Sequence, residues 1–170
     1  MASRSGSSEQ PRRDLVEADM KREYPAAPMV GVAAVVLHGK EVLLVRRGRE
    51  PLRGRWSLPG GLVELGETTA EGAIREVLEE TGMRVRPVEM VTTIDRILRD
   101  NDGRVQYHYV LAEWLCFVER NDRSEPVCGD DADEAAWVNC SEISSAQFGL
   151  EQATLAVIEK AIKLAETMRP

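Results

Sequence analysis

The sequence predicts an α+β fold, a mixed sheet layered between helices as an α/β/α sandwich. Three observations lead there. Strand-like apolar runs recur at 30–37, 41–46, 105–118 and 135–138, while the main helical patterns fall near 69–81 and 148–168. The strands and helices mix without a regular βαβ repeat. The chain has 170 residues and an apolar fraction of 43%, enough for one domain with a sizeable core.

Each element follows from local chemistry. Residues 30–37 (VGVAAVVL) read as a buried strand, His38-Gly39-Lys40 as a turn, and 41–46 (EVLLVR) as the second arm of a hairpin. A polar loop follows over Arg47–Arg55. In 56–66 a short strand is expected to be broken by Pro59-Gly60-Gly61. Thr68 or Thr69 caps a helix of about 69–81, which Gly82 ends as a left-handed C-cap. Residues 84–99 alternate imperfectly, as a strand or bent ribbon. Asn101-Asp102-Gly103 is a hairpin turn into 105–118. Residues 120–133 are an acidic loop, 135–138 (AAWV) a short strand, and 148–168 the final helix, with Leu150, Leu155, Ile158 and Ile162 at helical spacing.

The expected division is a polar N-terminal tail over 1–27, with a short helix over 14–24, and one domain over 28–168. No signal-peptide or membrane-spanning run is present. Cys116, Cys128 and Cys140 form no CxxC pair and read as buried small hydrophobes. Together these features point to the cytoplasm.

The net charge of −7 argues against a nucleic acid polymer or an anionic membrane as partner, since both require a basic face. It leaves a small polyphosphate open, because divalent cations can bridge two anions.

Residues 75–80 (REVLEE) carry the chemistry. On a helix Glu76, Glu79 and Glu80 share about 100° of arc, while Ala73, Ile74, Val77 and Leu78 should face the core. Like charges at this spacing repel by about 0.2–0.5 kcal/mol per pair. A solvated acidic face is one explanation; a hard cation such as Mg²⁺ is the other. Glu67 adds a fourth carboxylate at the loop–helix junction. Arg75 can brace Glu67 or Glu79, and Gly60-Gly61 lets backbone approach a ligand closely.

Residues 61–83 (GLVELGETTAEGAIREVLEETGM) resemble the Nudix box, G-x₅-E-x₇-R-E-U-x-E-E-x-G-U, where U is a bulky aliphatic residue. Gly61, Glu67, Arg75, Glu76, Val77, Glu79, Glu80, Gly82 and Met83 fill every defined position. The likeness extends over about 28–168, including Trp56-Ser57-Leu58-Pro59-Gly60 and Ala136-Trp137-Val138.

The resemblance implies hydrolysis of a nucleoside diphosphate linked to another group, with Mg²⁺ or Mn²⁺ across the pyrophosphate. It implies Glu76, Glu79 and Glu80 as metal ligands, the Gly60 carbonyl completing the shell, Glu67 supporting it, and Gly61 and Arg75 holding the site in shape. The family places its general base variably. Here Glu76, Asp131 and Glu134 are the candidates, with Glu80 also counted among the catalytic carboxylates. Arg46, Arg47 and Arg55 suit phosphate contacts, as does Arg53. Tyr107 or Tyr109 on one strand face, His108 on the other, or Phe148 could stack on a base; Trp56 and Trp137 belong to the core and His38 to a solvated turn.

The pattern is most similar to bacterial and archaeal ADP-ribose pyrophosphatases, whose products are AMP and ribose 5-phosphate. Three family features are absent. The proline of one ADP-ribose subfamily is replaced by Ile97, residues 99–101 lack the tyrosine of diadenosine polyphosphate hydrolases, and no SQPWPFPxS array occurs. The alternatives are a (d)NTP pyrophosphohydrolase acting on oxidised or ordinary nucleotides, and a non-catalytic nucleotide sensor. The intact box speaks against the sensor. By analogy with dimeric relatives, 14–28 is a candidate homodimer segment.

Overall fold

The computed structural model describes residues 22–48, 52–119, 125–129, 132–143 and 148–168. Among the described residues, seven strands and two helices form the expected sandwich: β1 (Met29–His38), β2 (Glu41–Arg47), β3 (Trp56–Ser57), β4 (Gly60–Leu62), α1 (Thr69–Thr81), β5 (Val85–Arg99), β6 (Val105–Val118), β7 (Ala132–Asn139) and α2 (Gln152–Thr167).

The sheet runs β3-β2-β1-β6-β5, with β4 also on β1 and β7 also on β2. β1 and β6 are parallel, with Met29 opposite Tyr109 and Leu37 opposite Phe117; all other pairs are antiparallel. Strand alternation sends side chains to two cores. Val35, Leu37, Val42, Leu44 and Leu115 pack with Val157, Ile158 and Ala161 of α2. Val32, Ala34, Val36, Leu43 and Cys116 pack with Ala73 and Val77 of α1. A central strand apolar on both faces is what a sheet covered on both sides requires.

Several details differ from expectation. Pro59-Gly60-Gly61 does not end strand structure: Gly60 and Gly61 lie in β4, opposite Ala33 and Val32. A Cβ on Gly60 would collide with the Val32 carbonyl, so glycine is what lets the two backbones meet. β7 begins at Ala132 rather than 135, and α2 at Gln152 rather than 148. Leu78 is exposed, because α1 covers the sheet with a narrower stripe than the sequence pattern suggests. Cys128 is exposed, unlike Cys116. His38 closes β1 with its ring 5.9 Å from that of Trp137, rather than standing in a solvated turn. Of the proposed 14–24 helix, 14–21 lie outside the described residues, and 22–24 are not helical. Among the described residues no helix is long and apolar enough to cross a membrane.

Candidate active site

The box helix starts where local chemistry dictates. The Thr68 hydroxyl accepts from the Glu71 amide at 3.2 Å, and the Glu71 carboxylate accepts from the Thr68 amide at 2.7 Å. The Thr68 amide, and then the Thr68 hydroxyl donating at 2.8 Å, hold the Glu71 carboxyl below its ordinary range. At the other end Gly82 takes φ 67°, and its amide donates to Leu78. Trp114 of β6 donates to the Thr69 hydroxyl at 3.2 Å and ties the helix start to the sheet.

Arg75 organises the acidic stripe. Its Nη2 donates to Glu67 at 2.7 Å and to the Leu62 carbonyl at 2.9 Å. Its Nε donates to the other Glu67 oxygen at 3.1 Å. Its Nη1 donates to Glu76 at 2.8 Å and to Glu79 at 3.1 Å. One guanidinium thus relieves the repulsion among three carboxylates. The hydrogen bonds from Arg75, and then from the Glu64 amide, hold the Glu67 carboxyl well below its ordinary value. The same Glu67 contact raises the Arg75 pKa.

Glu80 is buried although the helical wheel places it on the polar side. Its carboxylate accepts from the Gly60 amide at 2.9 Å, which joins β4 to α1. Gly61 gives room to Glu76: a Cβ there would fall on the Glu76 carboxylate. The loop that leads to β7 returns to this helix. Val127 donates to the Thr81 carbonyl at 2.9 Å and Gly129 to the Glu80 carbonyl at 3.0 Å. A Cβ on Gly129 would strike the Glu79 carbonyl. Among the described residues no three acidic, His or Cys side chains close into a cation cage. Arg75 stands between Glu67, Glu76 and Glu79 instead. The donor set nevertheless suits a hard divalent cation, since it consists of carboxylate oxygens beside a glycine backbone.

Beside the box lies a cleft with about 740 Å³ of space open to solvent. Gly60, Gly61, Leu58, Tyr109 and Leu111 line it, with cations from Arg22, Arg47 and Arg96. Of the arginines singled out by sequence, Arg47 lines the cleft. Arg46 pairs with Glu134 at 3.4 Å, and Arg55 offers its carbonyl to the Arg47 amide at 2.9 Å. Glu134 therefore sits on β7 with Arg46 as its partner, and Asp131 lies outside the described residues. Tyr107 and Tyr109 do share a face, with rings 6.3 Å apart. Phe148 is packed edge-on to Trp56, 5.8 Å away.

Three charged cleft residues escaped the sequence: Arg22, Arg96 and Glu113. Arg96 of β5 lines the cleft and donates to Glu151 at 2.8 Å. Glu113 of β6 is 3% exposed, and its Oε2 has no hydrogen-bond partner. Burial pushes its carboxyl up to about 7, against the pull of Arg96. A single acidic residue in a long apolar strand carries no motif. Only its i, i+2 relation to Leu111 and Tyr109 hinted at a common face.

Comparison with known proteins agrees with this geometry. Residues 27–159 match the NUDIX domain family, and the chain belongs to that family of hydrolases. The ADP-ribose pyrophosphatase of Methanocaldococcus jannaschii is 30% identical over 125 residues, 74% of this chain and 70% of that enzyme. The chain spans 29% and 40% of the length of further relatives from Caenorhabditis elegans and Bacillus subtilis. The crystal structure of a MutT NUDIX hydrolase from Burkholderia pseudomallei superposes with a TM-score of 0.65 at 25% identity, covering 79% of this chain and 98% of its own. The NUDIX domain of Shewanella oneidensis NrtR, solved in complex with ADP ribose, shares the fold with a TM-score of 0.63 at 22% identity, over 89% of this chain and 99% of that one.

Proposed function

We propose that the chain hydrolyses the pyrophosphate bond of a nucleoside diphosphate derivative, with ADP-ribose the favoured substrate and AMP and ribose 5-phosphate the products. The observation that carries this is the junction at Gly60-Gly61. There an arginine-organised carboxylate cluster on α1 meets a cleft lined by Arg22, Arg47 and Arg96. The archaeal relative's activity supports the choice of ADP-ribose.

Glu76, Glu79, Glu80 and the Gly60 carbonyl would hold Mg²⁺ or Mn²⁺, with Glu67 in support. Such an ion offsets phosphate charge and acidifies bound water. Arg75 keeps Glu67, Glu76 and Glu79 at fixed positions, and the Gly60 amide fixes Glu80. Arg47 and Arg96 bind and orient the anionic diphosphate. A water oxygen bonds to one phosphorus, the bridging P–O bond breaks, and the water proton passes to a carboxylate. Glu76, Asp131 and Glu134 are the proposed candidates for that base.

The test is turnover by the purified chain with Mg²⁺, using ADP-ribose, NADH, dGTP, 8-oxo-dGTP and sugar nucleotides, with phosphatase-coupled phosphate release. ADP-ribose should give the highest kcat/KM. A higher value on a nucleoside triphosphate would shift the assignment to a (d)NTP pyrophosphohydrolase. Absence of metal-dependent turnover on every nucleotide would leave a ligand-sensing domain.

A further inference from the structure

The floor of the cleft carries a carboxyl that the hydrolytic machinery described above does not use. Glu113 faces the α2 side of the sheet with Tyr109 and Leu111, which follow the same alternation on β6. Among the described residues that line the cleft it is the only acidic one; the charged remainder are Arg22, Arg47 and Arg96. Its side chain is almost fully buried, and Oε2 has no partner. Arg96 is close enough to act on it electrostatically, yet the guanidinium directs a 2.8 Å bond to Glu151.

Buried carboxyl oxygens are normally hydrogen-bonded, because an unmet acceptor loses water without replacement. Here the missing donor has to come from whatever enters the cleft. Phosphate oxygens are acceptors only and would be repelled from it; ribose hydroxyls can donate, but no flat apolar ring carries them. The arginines suit the phosphate oxygens. A donor presented by a flat, otherwise apolar ring fits the walls that Leu58, Tyr109 and Leu111 provide. Adenine carries such a donor in its exocyclic amine.

We propose that Glu113 is a specificity-determining residue, whose carboxyl oxygen accepts a hydrogen bond from the exocyclic amine of the substrate's adenine. The inference rests on the pyrophosphatase assignment of this cleft and deepens it. It places the base over β6 and the diphosphate toward Gly60-Gly61, so one end of the cleft reads the nucleoside and the other performs the hydrolysis.

The experiment compares ADP-ribose with the analogue in which purine, lacking only the 6-amino group, replaces adenine. In the wild-type chain with Mg²⁺, kcat/KM should favour ADP-ribose by at least about tenfold, as loss of one hydrogen bond to a buried acceptor predicts. In Glu113→Leu the ratio should fall to near one. Glu113→Ala carries the same expectation should the larger side chain prevent folding, and thermal melts identify folded variants. A wild-type ratio near one overturns the proposal. So does a ratio unchanged in both variants, even if kcat falls, because the carboxyl would then act on the reaction and not on the base. Absence of turnover on either substrate would instead count against the pyrophosphatase assignment. Calorimetric binding of AMP against purine riboside 5′-monophosphate then decides: a preference for AMP that Glu113→Leu abolishes sustains base reading, and equal binding overturns it.

Discussion

The Gly60 amide donates a 2.9 Å hydrogen bond to the Glu80 carboxylate, across twenty residues of chain. This bond fixes the last carboxylate of the box helix to the strand that enters the cleft. Glu80→Gln keeps an acceptor for Gly60 but removes the charge. The variant should melt near the wild type, and Mg²⁺-dependent hydrolysis should drop by about a hundredfold or more. Full activity in steady-state assays of the variant would remove Glu80 from the proposed metal set.

Arg75→Lys retains a positive charge and loses the fork. A lysine cannot serve Glu67, Glu76, Glu79 and the Leu62 carbonyl together, so the carboxylates should separate. Activity should fall by about 10–100-fold, with a higher Mg²⁺ concentration needed for half-maximal rate. A loss that saturating Mg²⁺ does not reduce would mean that Arg75 acts elsewhere in the reaction.

Most of this arrangement is legible in the sequence because it is local. The capping Thr68, the C-cap Gly82 and the acidic face of 69–81 all depend on residues within one helix. The role of Arg75 followed from its spacing to Glu67 and Glu79. What escaped depends on distant parts of the chain. β4 exists because Gly60 and Gly61 meet β1, and isolated glycines signal only the end of regular structure. Glu80 is buried by its bond to Gly60, which no helical wheel contains. Arg96, Glu113 and Arg47 become neighbours only after β5, β6 and β2 assemble.

Gly129→Ala tests the return of the 125–129 segment to the helix. Val127 and Gly129 satisfy two of the last carbonyls of α1, those of Thr81 and Glu80, which helix geometry leaves without partners. An alanine Cβ would collide with the Glu79 carbonyl and force at least one of these bonds apart. The expected cost is about 1–3 kcal/mol, read from denaturant unfolding. A change below about 0.5 kcal/mol would show that the close approach is readily relaxed.

Glu113 should leave a signature in the pH dependence of stability. Its carboxyl titrates at about 7 in the folded chain, against an ordinary value of 4.5. The cause is burial. Arg96 on β5 opposes it, and Tyr109 on β6, Arg47 on β2 and Arg22 line the same cleft. Between pH 4.5 and 7 the folded state therefore holds more protons at this site than the unfolded chain does. The sign of the linkage follows: this group's contribution is fully present below pH 4.5, declines as pH rises through about 7, and is constant above that. At about 1.36 kcal/mol per pH unit, the gap sets an upper bound of about 3 kcal/mol. Glu113→Gln removes the titration while keeping the shape. The wild-type Tm should thus fall relative to the variant by several degrees between pH 5 and pH 8, at about 2–4 °C per kcal/mol for a chain of this size. Thermal melts of both proteins at the two pH values measure the difference. A constant difference would mean that the Glu113 carboxyl is hydrated and titrates as an ordinary glutamate.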